Sequence, residues 1–279
     1  MKTKILIVGH GSRGPGGNEE IRRFSEEWAK ANSQWPVELC YIEFAEVLLE
    51  QGLDRASWEA DRVVVLPLIL NAAGHVKMEI PHHLEAARKR HPQVEFIYAR
   101  HLGATEEILT VVLRQLKKAM EALSLPDPKT TGVILLGRGS SDKVANGELA
   151  KMARWLWEKS EHELVEIAFT GITYPRLETV VQRMSLLGMT QVVILPYYLY
   201  NGRLIERIGE QVARLKGQYA GLAFSLGDYF GFEPEIFQLV RQRVEEALEE
   251  QRPKMMECDG CDYRKANQDD HHHHHHHHH

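Results

Sequence analysis

A chain of 279 residues is long enough for one large domain or two of ordinary size, and 43% hydrophobic with 26% charged residues is a globular make-up. A net charge of −5, histidines counted as neutral, argues against bulk nucleic-acid binding and leaves room for a local basic pocket. No apolar run approaches the roughly 20 residues of a membrane span. The opening Met1-Lys2-Thr3-Lys4-Ile5 enters a strand without a signal-peptide pattern, so a cytoplasmic protein is expected, with no membrane or nucleic-acid partner.

In chain order, apolar strands are expected near 4–9, 37–43, 62–69 and 94–99. Amphipathic helices are expected near 17–32, 46–58, 76–90 and 104–123. Two prolines in SLPDPKTT, residues 124–131, stop the last of these helices and supply a linker. Strands follow near 132–137, 164–170, 191–197 and 220–226, and a long helix near 233–250 closes the pattern. The two runs are copies. KILIVGHGSR (4–13) recurs as GVILLGRGSS (132–141), with Gly9, Gly11 and Ser12 matching Gly137, Gly139 and Ser140 at an offset of 128. DRVVVLPLILNAAGH (61–75) recurs as TQVVILPYYLYNGR (190–203), with Gly74 matching Gly202 at the same offset after a short gap. The expected fold is α/β: two tandem domains, 1–123 and 132–250, each a parallel sheet with helices on both faces. Such sheets take ligands beyond the carboxyl ends of their strands.

Those loops carry the chemistry. His10 follows the first strand, Glu43 ends the second in CYIEFAE, and His75 follows Gly74 ahead of a helix. A neutral imidazole ligates a metal or accepts a proton, and a carboxylate adds a hard ligand for a divalent ion. A lone histidine at a strand end commonly serves structure. Here both are exchanged in the repeat, His10 for Arg138 and His75 for Arg203, while Thr173 lies roughly where Glu43 would be. One half thus reads as a metal and proton site, and the other as cationic, suited to carboxylate or phosphate. His82 and His83, after Pro81, suggest an exposed helix face or a secondary metal path, and His91 and His101 read as surface or loop residues. Cys40, in an apolar strand, reads as inert core.

VGHGSR (8–13), EFAEV after the second strand, and LPLILNAAGHV (66–76) resemble the class II chelatases, specifically the sirohydrochlorin chelatases of the CbiX/SirB type in their long, duplicated form. The resemblance spans about residues 3–250. It implies that His10, His75 and Glu43 handle the metal and the catalysis. It further implies that the substrates are sirohydrochlorin and a divalent metal, cobalt for cobalamin or ferrous iron for siroheme. Cobalt is favoured because the long, His-tailed form resembles cobaltochelatases. The substrate carries many carboxylates, and Arg13, Lys77, Arg138 and Arg203 are candidates to bind them.

Two rivals compete with this reading. Gly9-His10-Gly11-Ser12-Arg13-Gly14 matches the G-x-G-x-x-G of nucleotide-binding folds, but the repeat loses the third glycine and no acidic residue stands about 20 positions on. A non-enzymatic metal carrier would use the polar tail, residues 251–279, which is expected to be disordered. There Met256-Glu257-Cys258-Asp259-Gly260-Cys261 is an M-x-C-x-x-C motif, which some long members of the resembling family carry for an iron–sulfur cluster. Cys258 and Cys261 supply half of a Cys₄ set, so a cluster needs a second subunit or other ligands. The chain is then a monomer by duplication, or a dimer if a cluster bridges two tails. His271–His279 reads as a purification tag or a natural metal-loading segment; nine residues without a spacer favour the latter.

Overall fold

The computed structural model describes residues 1–14 and 16–249, the side chain of His75 excepted. The first half runs β1 (Thr3–Gly9), α1 (Gly17–Ala31), β2 (Val37–Tyr41), α2 (Leu49–Ser57), β3 (Arg62–Pro67), α3 (Gly74–Arg90), β4 (Glu95–Tyr98) and α4 (Glu106–Glu121). The second repeats it as β5 (Thr131–Gly137), α5 (Lys143–Lys159), β6 (Leu164–Phe169), α6 (Leu177–Leu186), β7 (Gln191–Pro196), α7 (Arg203–Gln218), β8 (Ala223–Leu226) and α8 (Pro234–Leu248). Glu43 lies two residues beyond β2 rather than within it. The tail expectations, including Cys258, Cys261 and His271–His279, lie outside the described residues. No described helix is long and apolar enough to cross a membrane.

Each half forms a four-stranded parallel sheet, in the orders β2-β1-β3-β4 and β6-β5-β7-β8. The first strand of each half is therefore central, and the chain leaves it toward opposite sides. Loops after β1, β2 and β3 meet at one rim, where a parallel sheet opens a crevice. Alternation along the strands decides what packs where. Leu6 and Val8 face α2 and α3 in one core cluster. Ile134 and Leu136 face α6 and α7 in another. Ile5 and Ile7 face the opposite way, into a third cluster that they share with Val133 and Leu135 of the second sheet.

That shared cluster joins the halves. Although α4 follows β4 in sequence, it packs on β7 and β8 of the other sheet, and α8 packs on β3. The helices that close each half are thus exchanged, and the 124–131 linker is not a boundary between two separate cores. Ile21, Phe24 and Trp28 form the buried stripe of α1, with Glu19 and Glu20 in its first turn and Lys30 in its last, as the helix dipole favours. Phe24 lies 4.2 Å from Phe237 of α8, centroid to centroid. The Trp28 indole donates to the Phe237 carbonyl at 3.2 Å. Truncating so buried a tryptophan costs about 3–5 kcal/mol. Arg114 on α4 pairs with Glu233 and Glu235 at the start of α8, tying the exchanged helices together.

Candidate active site

The two sheet rims face one cavity of about 510 Å³, lined by loops from both halves. Its first-half wall begins with the turn after β1. Gly11 has φ +97°, and a Cβ there would lie 1.8 Å from the Glu43 carbonyl oxygen. Only glycine lets the two loops touch, with the Glu43 amide donating to the His10 carbonyl at 3.1 Å. This apposition brings His10 Nδ1 to 3.6 Å from Glu43 Oε1, with both side chains more than a third exposed and open to a solute. Nδ1 also faces the Gly11 carbonyl at 3.3 Å. Nδ1 thus faces two acceptors, the arrangement in which a neutral imidazole carries its proton on Nδ1 and presents its lone pair at Nε2. His75 is the second residue of α3, on the loop side that adjoins β1.

The second half repeats the turn without the chemistry. Gly139 has φ +90°, and a Cβ there would lie 2.3 Å from the Gly171 carbonyl oxygen. The Gly171 amide donates to the Arg138 carbonyl at 3.0 Å, matching the bond between Glu43 and His10. Gly171, not Thr173, therefore occupies the place of Glu43. The sequence comparison fixed the strand ends only roughly. Backbone pairing fixes the loop, and the twin carries no side chain at all where the carboxylate stands.

Arg13, Arg138 and Arg203 line the cavity, joined by Arg207 one helical turn beyond Arg203. Among the described residues none of these four guanidinium groups has an ion-pair partner, although Arg13 sits 4.3 Å above the Phe44 ring. Arg207 escaped the sequence reading, yet its i,i+4 spacing from Arg203 was there to find. Lys77 is placed elsewhere. It donates to Asp142 Oδ2 at 2.7 Å, each side chain 18% exposed, and bridges α3 to the cap of α5. Burial works against the Asp142 charge, but hydrogen bonds from Lys77 and the Val144 and Ala145 amides hold the carboxyl below its usual range. Tyr197, Tyr198 and Tyr200 also line the cavity, as do Leu68, Ile69 and Leu70. Burial pushes Tyr198 up to about 12, so its hydroxyl stays protonated.

The glycine loop is not arranged as a phosphate cradle. The Ser12 amide is spent on Asn18 Oδ1 at 2.9 Å and the Gly14 amide on Ser12 Oγ at 3.2 Å, so the donors a pyrophosphate needs are taken. Gly14 and Gly17 serve close approach between the halves, since a Cβ would meet the Arg203 nitrogen at 3.0 Å and the Asn201 oxygen at 2.9 Å.

The other histidines separate. His82 and His83 lie edge to face on α3, with centroids 5.8 Å apart. His91 contacts Asp54 at 2.7 Å. His101 lies in the loop after β4, as expected, and is half-buried: its Nδ1 has no hydrogen-bond partner among the described residues, and burial pushes its pKa down to about 4. Among the described residues no group of three or more His, Cys, Asp or Glu stands ready to hold a metal; the His75 side chain is outside that set. Cys40 is buried, and burial pushes its thiol up, as inert core should be.

The CbiX family model matches residues 4–119 and again 132–247. A sirohydrochlorin cobaltochelatase of Priestia megaterium is 41% identical over 267 residues, covering 95% of this chain and 85% of that one. A sirohydrochlorin ferrochelatase of Bacillus subtilis (strain 168) is 30% identical over 268 residues, 95% of this chain and 99% of the relative. The solved structure of SirB from Bacillus subtilis with Fe3+ superposes with a TM-score of 0.75 at 30% identity, over 88% of this chain and 96% of that one. With the same turn built twice on one cavity and both copies matched along their length, the chain belongs to the CbiX family.

Proposed function

We propose that this protein is a sirohydrochlorin chelatase, a lyase that inserts a divalent metal into the tetrapyrrole, cobalt in the favoured reading. The observation that carries it is the division of labour in one cavity. The first half presents His10 beside Glu43, and the second presents Arg138, without an ion-pair partner among the described residues, on the same turn.

Insertion trades two pyrrole N–H protons for one divalent ion. The chain needs a base, a metal-delivery group and a hold on the macrocycle's carboxylates. His10 supplies an Nε2 lone pair to receive the metal or a proton. Glu43 faces the opposite ring nitrogen, where it orients the imidazole. His75, on the adjoining loop, is assigned the second ligand and proton acceptor. Arg13, Arg138, Arg203 and Arg207 are assigned the substrate carboxylates. Lys77, held by Asp142, is left out of that set.

Iron is the alternative substrate metal, giving a ferrochelatase for siroheme; the Bacillus subtilis relative named for that activity keeps it in play. His and Glu ligands accept either ion, so anaerobic insertion assays with each metal decide. The reading is of a cytoplasmic enzyme, in keeping with the free Cys40 thiol and with a ferrous substrate's need for a reducing compartment. An iron–sulfur cluster at Cys258 and Cys261 rests on the motif alone; iron and sulfide analysis of anaerobically purified protein tests it. A metal carrier without turnover would bind cobalt and leave the sirohydrochlorin spectrum unchanged.

A further inference from the structure

Among the described residues three that are not glycine adopt left-handed backbone: Phe44 at φ +53°, Glu59 at +49° and Ile172 at +63°. Phe44 and Ile172 are the same position in the repeat, each one residue past the loop contact that Glu43 and Gly171 make. A large or β-branched side chain in this region is a genuine outlier. A turn that merely needed the conformation would carry glycine or asparagine, as turns of this kind do.

Packing does not explain the choice. Phe44 is 42% exposed and Ile172 56%. The strain is held from below by hydrogen bonds that ignore the side chains. Asn18 Nδ2 donates to the Phe44 carbonyl at 2.8 Å, and the Glu43 and Gly171 amides are fixed to the preceding loops. What the strain secures in both halves is an exposed apolar group beside the loop contact. Phe44 lines the cavity beside Glu43, with Arg13 on its ring. Ile172 stands next to the Gly171 contact with Arg138, outside the residues that line the cavity.

We infer that Phe44 is an apolar lip that grips the flat macrocycle at the cavity mouth, and that Ile172, its counterpart outside the cavity lining, is not; this rests on the chelatase reading above. Phe44 is a positioning residue for the substrate and does not touch the metal. An aromatic lip suits a planar conjugated ligand whose charges lie at its edge, where the arginines wait.

The test pairs stability with binding. Phe44→Gly and Ile172→Gly, with Phe44→Asn as a variant that keeps a Cβ yet tolerates the backbone, are compared with wild type. Thermal unfolding and fluorescence-detected binding of metal-free sirohydrochlorin are the measurements. Each glycine variant is expected to hold its Tm or gain a few degrees, because glycine relieves the left-handed strain. The Kd of Phe44→Gly is expected to rise about tenfold, the weight of one apolar contact, and that of Ile172→Gly to change less than twofold. Phe44→Asn is expected to bind as weakly as Phe44→Gly. An unchanged Kd in Phe44→Gly, or an equal rise in Ile172→Gly, overturns the proposal, and so does a fall in the Tm of Phe44→Gly, which would show that the side chain serves the fold. Wild-type protein that binds no sirohydrochlorin would instead overturn the chelatase reading itself.

Discussion

Gly11→Ala separates the turn's architecture from its chemistry, because the second half contains a control. An alanine at 11 would have to adopt φ +97°, and its Cβ contact with the Glu43 carbonyl must open by about 1.2 Å, from 1.8 Å to the 3.0 Å below which such contacts essentially never fall. The left-handed backbone alone costs about 1–2 kcal/mol, and shifting the loop brings the total to about 2–4 kcal/mol. For a chain this long that is a Tm lower by roughly 5–15 °C. Gly139→Ala faces φ +90° and an opening of about 0.7 Å, from 2.3 to 3.0 Å, so its stability loss is similar or smaller. The two differ in what moves. In the first half the displaced loop carries Glu43 away from His10, and a 1 Å misplacement costs about 100-fold in rate. In the second it carries Gly171, which has no side chain to lose. Metal insertion at saturating sirohydrochlorin, measured well below both Tm values, should fall about 100-fold in Gly11→Ala and less than tenfold in Gly139→Ala. Equal losses in turnover would refute the asymmetry between the halves.

Other consequences can be checked alongside. His101 is held near 4 against 6.5 by burial, so the unfolded chain takes up that proton first as pH falls. The stability its neutral ring contributes is intact above about pH 6.5 and drains away toward pH 4, by up to roughly 3 kcal/mol; His101→Gln should flatten that part of a pH series of urea melts. Lys77→Ala should cost about 1–2 kcal/mol, since it leaves the half-buried Asp142 carboxylate without its partner, yet change the KM for sirohydrochlorin less than twofold. Arg203→Gln and Arg207→Gln should each raise that KM about 3–10-fold with kcat nearly kept, and the effect should shrink at high salt. A KM that follows Lys77 and ignores the arginines would reverse the assignment of the carboxylate anchors.

Most of the architecture was legible because it rests on local rules. Alternating apolar strands and amphipathic helices marked the elements to within a few residues, and Gly9, Gly11, Gly137 and Gly139 betrayed the duplicated turn. The exchange of α4 and α8 was not legible. Periodicity shows which face of a helix is apolar, not which sheet will cover it, and Phe237 gives no sign of meeting Phe24 across 213 residues. Charge type pointed to Arg138 and Arg203 but also to Lys77, because a sequence does not show that Asp142 folds back onto it. The left-handed Phe44 and Ile172 were hidden for a different reason: neither residue type carries a turn signature, so only the backbone reveals the strain.

The central claim is that His10, set by Glu43, performs metal insertion in a cavity whose other half only binds. Its most direct test is anaerobic insertion of Co2+ and of Fe2+ into sirohydrochlorin, followed by absorbance, with wild type and His10→Ala at matched stability. Wild type should accelerate insertion, faster with cobalt, and His10→Ala should fall to near the uncatalysed rate with both metals. Insertion by His10→Ala at the wild-type rate, or none above background by wild type, would contradict the account.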